Sequence, residues 1–403
     1  MKKKYIFLML SLGILFLILG FVLFTVGSNI SHGRNSNIQV EKEIENDISK
    51  ETEIEEPKIS NIRLLAAGDI MFHLPQFKSA YDTKTQTYDF KHNFKHIKNY
   101  VKEADIAIGN FETVTREGIG YSGYPRFNTP KESLSAIKDA GFDIMSTANN
   151  HCLDQGKKGL TDTIDNIKAN NMKNIGTYKH KEDNKILIEE IDGIKLGFLS
   201  YTYGLNGLDA TLTREELSFM VNLIDENRIE SDLKKARVQD LDLIIVSIHW
   251  GNEYQREPSA YQIELGEKMI EWGADIILGS HPHVIQKSQI INKDGEDKFI
   301  IYSLGNFLSN QRGETIGNSY TEDGLMIEFE IEKDFSDENT IIKGIRYLPT
   351  WVRRYKEGNK LYYEILPIGE ILEGNMQYGE YDVIKERIKK SYEYTMEKMV
   401  SFP

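Results

Sequence analysis

Cysteine is almost absent from this 403-residue chain, with Cys152 as its single example. No intramolecular disulfide can form, and no cysteine-based zinc site can be built. Positive charge is also in short supply. Lys and Arg number 49 against 62 Asp and Glu, for a formal net charge of -13. That balance excludes the broad basic face which nonspecific binding to nucleic acid or anionic lipid requires. No nucleic-acid partner is expected, and an anionic substrate would have to be met by local Arg, Lys or metal. Repeats of fixed period are lacking, so solenoid and propeller arrays drop out. The length leaves one or two domains open.

Charge of either sign is missing from one stretch. MKKK precedes YIFLMLSLGILFLILGFVLFTVG, 23 residues from Tyr5 to Gly27 without a charge. At about 1.5 Å per residue, a helix of that length spans a hydrocarbon core of roughly 30 Å. Lys2, Lys3 and Lys4 hold its start in the cytoplasm. The expectation is a single-pass cell-membrane protein anchored through residues 1–27, with its N-terminus cytoplasmic and its main domain extracellular. A cleaved signal peptide is the alternative, with Thr25 and Gly27 near the cleavage site, but signal-peptide apolar cores run only about 7–15 residues. Residues 28–60 turn polar and acidic, with EKEIENDISKETEIEEPK holding eight acids and three lysines. Low hydrophobicity and like-charge repulsion make this stretch a flexible tether.

Beyond the tether, strand-like and helix-like stretches alternate. NIRLLAAGD, ADIAIGNFE, GFDIMSTAN, LDLIIVSIHW, ADIILGSH and KFIIYSLGN are apolar runs of strand length that end in polar residues or glycine. Between them, KESLSAIKDAG, GLTDTIDNIKANN, ESDLKKARVQ and PSAYQIELGEKMIEWG read as helices. In the last, Tyr261, Leu265, Met269 and Trp272 recur at helical steps and predict a stripe that covers a sheet. The alternation predicts a layered α/β domain over residues 61–375. ILIEEIDGIKLGFLSYT and GLMIEFEIEKDFSDENTIIKGIRYLPTW read as added hairpins, and residues 376–403 end in a charged amphipathic helix.

Polar clusters sit at the ends of the strand-like runs: Gly68-Asp69, Gly109-Asn110-Phe111-Glu112, Asn149-Asn150-His151, His249, His281-Pro282-His283 and Gly305-Asn306. In an α/β sheet, the carboxyl ends of the strands line one crevice, so residues remote in sequence converge there. Each cluster has a plainer reading on its own: Asp69 as a cap, His249 as a buried core histidine, the asparagines as turn residues. Their coincidence is the evidence. Asp, Asn, Glu and His without Cys form a ligand set for Mn, Fe or Zn, and Asp69, Asn110, Glu112, Asn150, His249, His281 and His283 are the expected ligands. In TANNHCLD, Asn150 is expected to ligate and His151 to work as general acid. Arg126, on the loop YSGYPRFNTP, and Asn306 are assigned to substrate binding, since arginine suits carboxylate or phosphate. Arg353 and Arg354 read as surface arginines.

The order GD, GNFE, ANNH, HWG, GSHPH, SLGNF resembles the capsule synthesis protein CapA family, the poly-γ-glutamate synthesis proteins. That family is similar in turn to the calcineurin-like metallophosphoesterases. The resemblance covers roughly Arg63 to Phe307. It implies an α/β four-layer αββα sandwich, preceded here by one N-terminal transmembrane helix. It also implies a divalent metal, an anionic polymer (poly-γ-glutamate) as partner, and possible membrane synthase subunits. The implied activity is a metal-dependent hydrolase or transferase, with a non-catalytic polymer- or partner-binding subunit of a membrane synthase, or a hydrolase acting on another anionic envelope polymer, as the alternatives. The sequence departs from the metallophosphoesterase pattern in three places. Ile70 and Met71 follow Asp69, where that pattern has a histidine two residues on, and His73 is the nearest one. Asn110 stands in the place of the bridging aspartate, with Glu112 nearby. Cys152 replaces the acidic residue that follows the motif histidine. With only Asp69 and Glu112 negative, one ion, or two weakly bound, is expected rather than a tight pair.

Overall fold

The computed structural model describes residues 59–402. The expected anchor and nearly all of the expected tether lie outside these residues. Among the described residues, no helix is long and apolar enough to cross a membrane.

In chain order the strands are β1 (Ile59–Ile70), a small hairpin of β2 (Tyr81–Asp82) and β3 (Thr87–Tyr88), β4 (Ile106–Phe111), β5 (Ile144–Ser146), β6 (Lys173–Ile175), β7 (Leu187–Ile191), β8 (Ile194–Thr202), β9 (Leu243–His249), β10 (Ile276–Ser280), β11 (Ser288–Lys293), β12 (Glu296–Ile301), β13 (Asn306–Leu308), β14 (Asp323–Asp334), β15 (Asn339–Glu357) and β16 (Lys360–Pro367). Two mixed sheets carry the fold. One is 8-stranded in the order β16-β15-β14-β1-β4-β5-β6, with β13 paired to β1; the other is 6-stranded in the order β11-β12-β10-β9-β8-β7. Within them, β13, β1, β4, β5 and β6 run parallel, as do β8, β9, β10 and β12. All six apolar runs read as strands are strands, and both predicted hairpins form, as β7–β8 and β14–β15.

Period-two alternation sorts each strand between two cores. Ile62, Leu64 and Ala66 of β1 face Leu196 and Phe198 of β8, Ile245 of β9 and Phe299 of β12 in one cluster between the sheets. The opposite face of β1, Leu65 and Ala67, packs with Leu134 and Ile137 of the helix Glu132–Ala140. In the second sheet, Ile244, Val246 and Ile248 pack with Leu233 of the helix Glu226–Arg237 and with Leu265 and Met269 of the helix Ala260–Trp272. The layers therefore run helix, sheet, sheet, helix. β4 and β9 are buried along their whole length, which is why they read as continuous apolar runs rather than alternating ones.

The helix Ala260–Trp272 starts at a capping box, with Ser259 accepting from the Gln262 N–H, and stops at Gly273 in the left-handed region. Its buried face is Gln262, Leu265, Gly266, Met269 and Ile270. Tyr261 is 46% exposed, so the expected stripe is rotated away from Tyr261. The C-terminal helix Tyr381–Met396 packs Ile384 and Ile388 against Trp351, Leu366, Ile368 and Ile371.

Candidate functional site

The parallel strands deliver their carboxyl ends to one place. In register, Asp69 of β1 lies beside Asn110 of β4 and Asn306 of β13, and His249 of β9 lies beside Ser280 of β10. Glycine makes the pairing with β13 possible. A Cβ on Gly68 would stand 2.1 Å from the carbonyl oxygen of Gly305, and it is this oxygen that accepts the Asp69 N–H at 2.9 Å.

Asp69 is fully buried and held from several sides. Its Oδ1 accepts from Asn110 Nδ2 at 2.8 Å, and its Oδ2 lies 3.2 Å from His283 Nδ1. The same His283 nitrogen is 3.1 Å from Asn306 Oδ1. A carboxylate and an amide oxygen both accept, so Nδ1 carries a ring proton, and Nε2 faces Glu112 Oε1 at 3.7 Å. His249 Nε2 faces Asn150 Oδ1 at 3.0 Å and Glu112 Oε1 at 3.5 Å. Its Nδ1 lies 2.9 Å from Ser280 Oγ.

Glu112 stands in the middle, fully buried, and neither carboxylate oxygen has a hydrogen-bond partner. Burial, with Asp69 adding to it, pushes its pKa well above the usual carboxylate range. Burial also drives His249 well below the usual imidazole range, helped by His281 and His283. His281 is pushed down to about 3 by burial and then by His283 and His151. A buried carboxyl group without a hydrogen-bond partner, packed against His249, His281 and His283, is an unfavourable arrangement for a closed protein core. It is the arrangement a divalent cation would satisfy. Three groups of side chains offer ligand atoms within 4.8 Å of one another: Glu112 with His249 and His281, Asp69 with Glu112 and His283, and Glu253 with His281 and His283. Oxygen and imidazole donors without thiolate fit Mn, Fe or Zn.

The short loop carrying His281 and His283 is held in an unusual form, with both residues at positive φ, 94° and 58°. Such backbone is unfavourable for residues with a Cβ and persists where surroundings fix it. Here the Tyr254 N–H donates to the Pro282 carbonyl at 2.8 Å, and the His281 N–H donates to Asp69 Oδ2 at 3.4 Å.

TANNHCLD forms the turn between β5 and the helix Gly156–Ala169. Asn149 Nδ2 donates to the Phe111 carbonyl at 2.9 Å, tying the turn to the end of β4, while its Oδ1 accepts the His151 N–H at 3.2 Å. His151 belongs to none of the three ligand groups. Its Nδ1 lies 2.8 Å from Asp154 Oδ2, which also accepts the Phe127 N–H at 2.7 Å. The Phe127 ring meets the His151 ring edge-on, centroids 4.8 Å apart. The acid missing at position 152 is thus supplied three residues after His151, and Cys152 is buried with Leu153, Leu160 and Ile164.

Several expected residues take different places. Asn110 turns its amide nitrogen to Asp69, and its Oδ1 accepts from Asn149 Nδ2 at 3.4 Å. It therefore braces Asp69, and the central position falls to Glu112. Asn306 is buried behind His283, its Nδ2 donating to Gln311 Oε1 at 3.0 Å and to the Thr321 carbonyl at 2.8 Å. With every polar atom engaged, it orients His283 rather than facing the open cleft. Arg126 is exposed on the loop beside Phe127. Arg353 pairs with Glu364 at 3.0 Å and with Glu380, and Arg354 pairs with Glu314. His73 accepts the Asn310 N–H at Nδ1, 3.2 Å away, and is absent from the ligand groups. Asp154, Glu253 and Tyr203 were missed by the sequence reading. Tyr203 is 46% exposed, with its ring 4.5 Å from that of His281. Asp154 and Glu253 stand inside TANNHCLD and HWGNEY, but nothing in their spacing sets them apart from surface acids.

Comparison with known proteins agrees with the motif order. The chain is 31% identical over 282 residues to the capsule biosynthesis protein CapA of Bacillus anthracis, covering 67% of this chain and 64% of that protein. It is 28% identical over 246 residues to the PGA biosynthesis protein CapA of Bacillus subtilis (strain 168), covering 60% and 61%. The match thus spans less than two thirds of either relative. Among solved structures, it is similar to a calcineurin-like phosphoesterase from Bacillus subtilis (TM-score 0.43, 15% identity, 84% of this chain and 100% of that one). A phosphatase from Mycoplasma pneumoniae gives TM-score 0.43 and 15% identity over 72% of this chain and 94% of that one. Residues 63–311, more than half of the sequence, match the family described as bacterial capsule synthesis protein PGA_cap, and the chain belongs to that family.

Proposed function

We propose that this protein takes part in the synthesis, export or attachment of a capsular anionic polymer, poly-γ-glutamate, at the outer face of the cell membrane, as a metal-dependent hydrolase or transferase. The reading takes residues 1–27 as the membrane anchor and the helix–sheet–sheet–helix layering as the αββα sandwich of the metallophosphoesterases. The observation that carries it is Glu112, buried and without a donor between His249 and His283. Asp69, Glu112, Asn150, His249, His281 and His283 would hold the ion. When bound, a divalent cation supplies Lewis acidity to a phosphoryl or carbonyl oxygen. His151, oriented by Asp154, delivers a proton from Nε2 to the departing oxygen. Arg126 attracts the anionic chain.

Elemental analysis of the full-length protein in detergent, purified without chelator, tests the reading. Mn, Fe or Zn should be retained by wild type and lost when His281→Ala and His283→Ala are combined, and the double variant should fail to restore surface polymer in cells lacking the wild-type protein. Absence of all three metals from wild type at micromolar metal would remove the mechanism. A second reading, a polymer-holding subunit of a membrane synthase, is favoured by Asn110, a neutral amide at the bridging position. Metal-free protein that restored normal polymer would select it.

A further inference from the structure

We propose that His73 is a fixed hydrogen-bond donor to an anionic oxygen of the substrate, standing beside the metal ligands and the general acid and belonging to neither. The inference rests on the reading of the cleft given above and adds a substrate contact to it. That reading gives His73 no part, and the residue is absent from the three ligand groups.

Strand pairing puts it in place. The Met71 N–H donates to the Leu308 carbonyl at 2.8 Å, and two residues further along both segments the Asn310 N–H donates to His73 Nδ1 at 3.2 Å. His73 is also the extended N-cap residue of the helix Leu74–Ala80, and its own N–H donates to Gln76 Oε1 at 2.6 Å. Backbone and ring are both held.

The identity of the partner at Nδ1 decides what Nε2 can do. A backbone N–H carries a proton and no lone pair, so Nδ1 must offer its own lone pair to Asn310, and the proton of the neutral ring has to sit on Nε2. Burial pushes the pKa down to about 4 against the pull of Gln76, and His283 and His151 lower it further, so the ring is neutral at neutral pH. A neutral imidazole with its proton on Nε2 donates from that atom. It can neither ligate a cation nor accept a proton there. Among the described residues Nε2 makes no hydrogen bond, and it is not one of the polar atoms sealed from solvent without a partner, so the donor is open to a ligand.

Its neighbours show what that ligand would be. The Phe127 ring meets His73 edge-on with centroids 5.2 Å apart and meets His151 edge-on at 4.8 Å, so one aromatic ring spaces the two imidazoles. They are tied in opposite senses. His151 Nδ1 faces the Asp154 carboxylate at 2.8 Å and exchanges its proton at Nε2, whereas His73 Nδ1 faces an N–H and keeps its proton at Nε2. One ring can move a proton; the other can only hold an oxygen. Because both His151 and the ligand-group residue His283 act on His73 electrostatically, the donor stands near the acid and near the cation site at once. A negatively charged phosphoryl or carboxylate oxygen is the acceptor that gains most from a donor so placed.

The test is calorimetry on the full-length protein in detergent, titrated with manganese and then with inorganic phosphate or with a γ-linked glutamate oligomer. His73→Ala should bind manganese as wild type does and bind the anion about 10-fold or more weakly, the loss of one hydrogen bond to a charged group. His73→Gln, which returns an N–H donor near the ε position, should recover most of that affinity. An effect on phosphate assigns the oxygen to a phosphoryl group, and an effect on the oligomer assigns it to a carboxylate. Equal anion affinity in wild type and His73→Ala would overturn the proposal and leave the metal-centre reading intact, as would wild type that takes up manganese and neither anion. Equal weakening in His73→Ala and His73→Gln would reduce the ring to a structural part, and loss of manganese from His73→Ala would make it a ligand; either result overturns the proposal. No manganese in wild type would remove the metal-centre reading, and the same anion titrations of the metal-free proteins would then decide the role of His73.

Discussion

His151 Nδ1 and Asp154 Oδ2 lie 2.8 Å apart within a single turn, and the same carboxylate oxygen holds the Phe127 N–H. The ring is thereby fixed at one nitrogen, and the proton it exchanges with a substrate must pass through Nε2. Removal of a general acid typically slows a reaction by about 10²–10⁴. His151→Ala should show a loss of that size with an alkyl phosphodiester and a much smaller one with a nitrophenyl ester, whose leaving group needs no proton. Asp154→Asn should reproduce part of the loss. Steady-state rates of the metal-loaded protein on both esters check this, and equal slowing of the two would show that His151 is not the acid.

Asn150 separates from its neighbour on a different measurement. Its Oδ1 is 3.0 Å from His249 Nε2, whereas His151 is outside every ligand group. Asn150→Ala should therefore lower metal affinity, and His151→Ala should leave it nearly unchanged. Calorimetric titration with manganese distinguishes them, and an equal fall in both variants would contradict the assignment.

Gly68→Ala tests how the strands position the site. The new Cβ would lie 2.1 Å from the Gly305 carbonyl oxygen, far inside contact distance, and that neighbour is backbone, so β1 and β13 would have to separate. That moves Asn306 from His283 and Asp69 from its place beside Asn110. The expected outcome is a large drop in melting temperature together with loss of metal. Gly120→Ala, where nothing lies within 4 Å of the new atom and the backbone is outside the left-handed region, is the control that should stay close to wild type.

How much of this site was legible beforehand depends on whether a residue's role is set locally. Asp69, Glu112, His249, His281 and His283 announce themselves because each ends an apolar run, and strand ends converge in α/β sheets. Asn110 and Asn306 end apolar runs in the same way, but their contacts with Asp69 and His283 could not be read, since an amide side chain can accept or donate and only the packed neighbours decide which. Asp154 and Glu253 look like surface acids in sequence, and only a turn and a loop-to-loop hydrogen bond bring them to histidines. The fold followed the same rule. Long buried strands such as β9 were plain, while the three-residue strands β6 and β13 are too short to show a period, and each exists because a neighbouring strand, β5 or β1, offers it an edge.

Asp323 provides a test of buried charge outside the cleft. Its Oδ1 accepts from Ser391 Oγ at 2.6 Å and from Arg387 Nη2 at 2.9 Å, which ties the helix Tyr381–Met396 to β14. Its Oδ2 is buried without a partner. Burial outweighs the pull of Arg387 and Ser391 and raises the carboxyl from an ordinary 3.8 to about 6. In the unfolded chain the proton leaves near 3.8, whereas the folded protein keeps it until about 6. The stabilising contribution of the protonated group is therefore complete below the lower value and is lost as pH rises through the upper one. Asp323→Asn carries no such titration. Its stability relative to wild type should improve as pH climbs from about 4 to about 6 and then level off, by the linkage of proton binding to folding. Urea unfolding of both proteins across this window would follow the difference, with chelator present so that metal binding contributes no pH dependence of its own. A difference that stays flat with pH would mean that Arg387 compensates the buried charge completely, and that Asp323 clasps the C-terminal helix equally well in either protonation state.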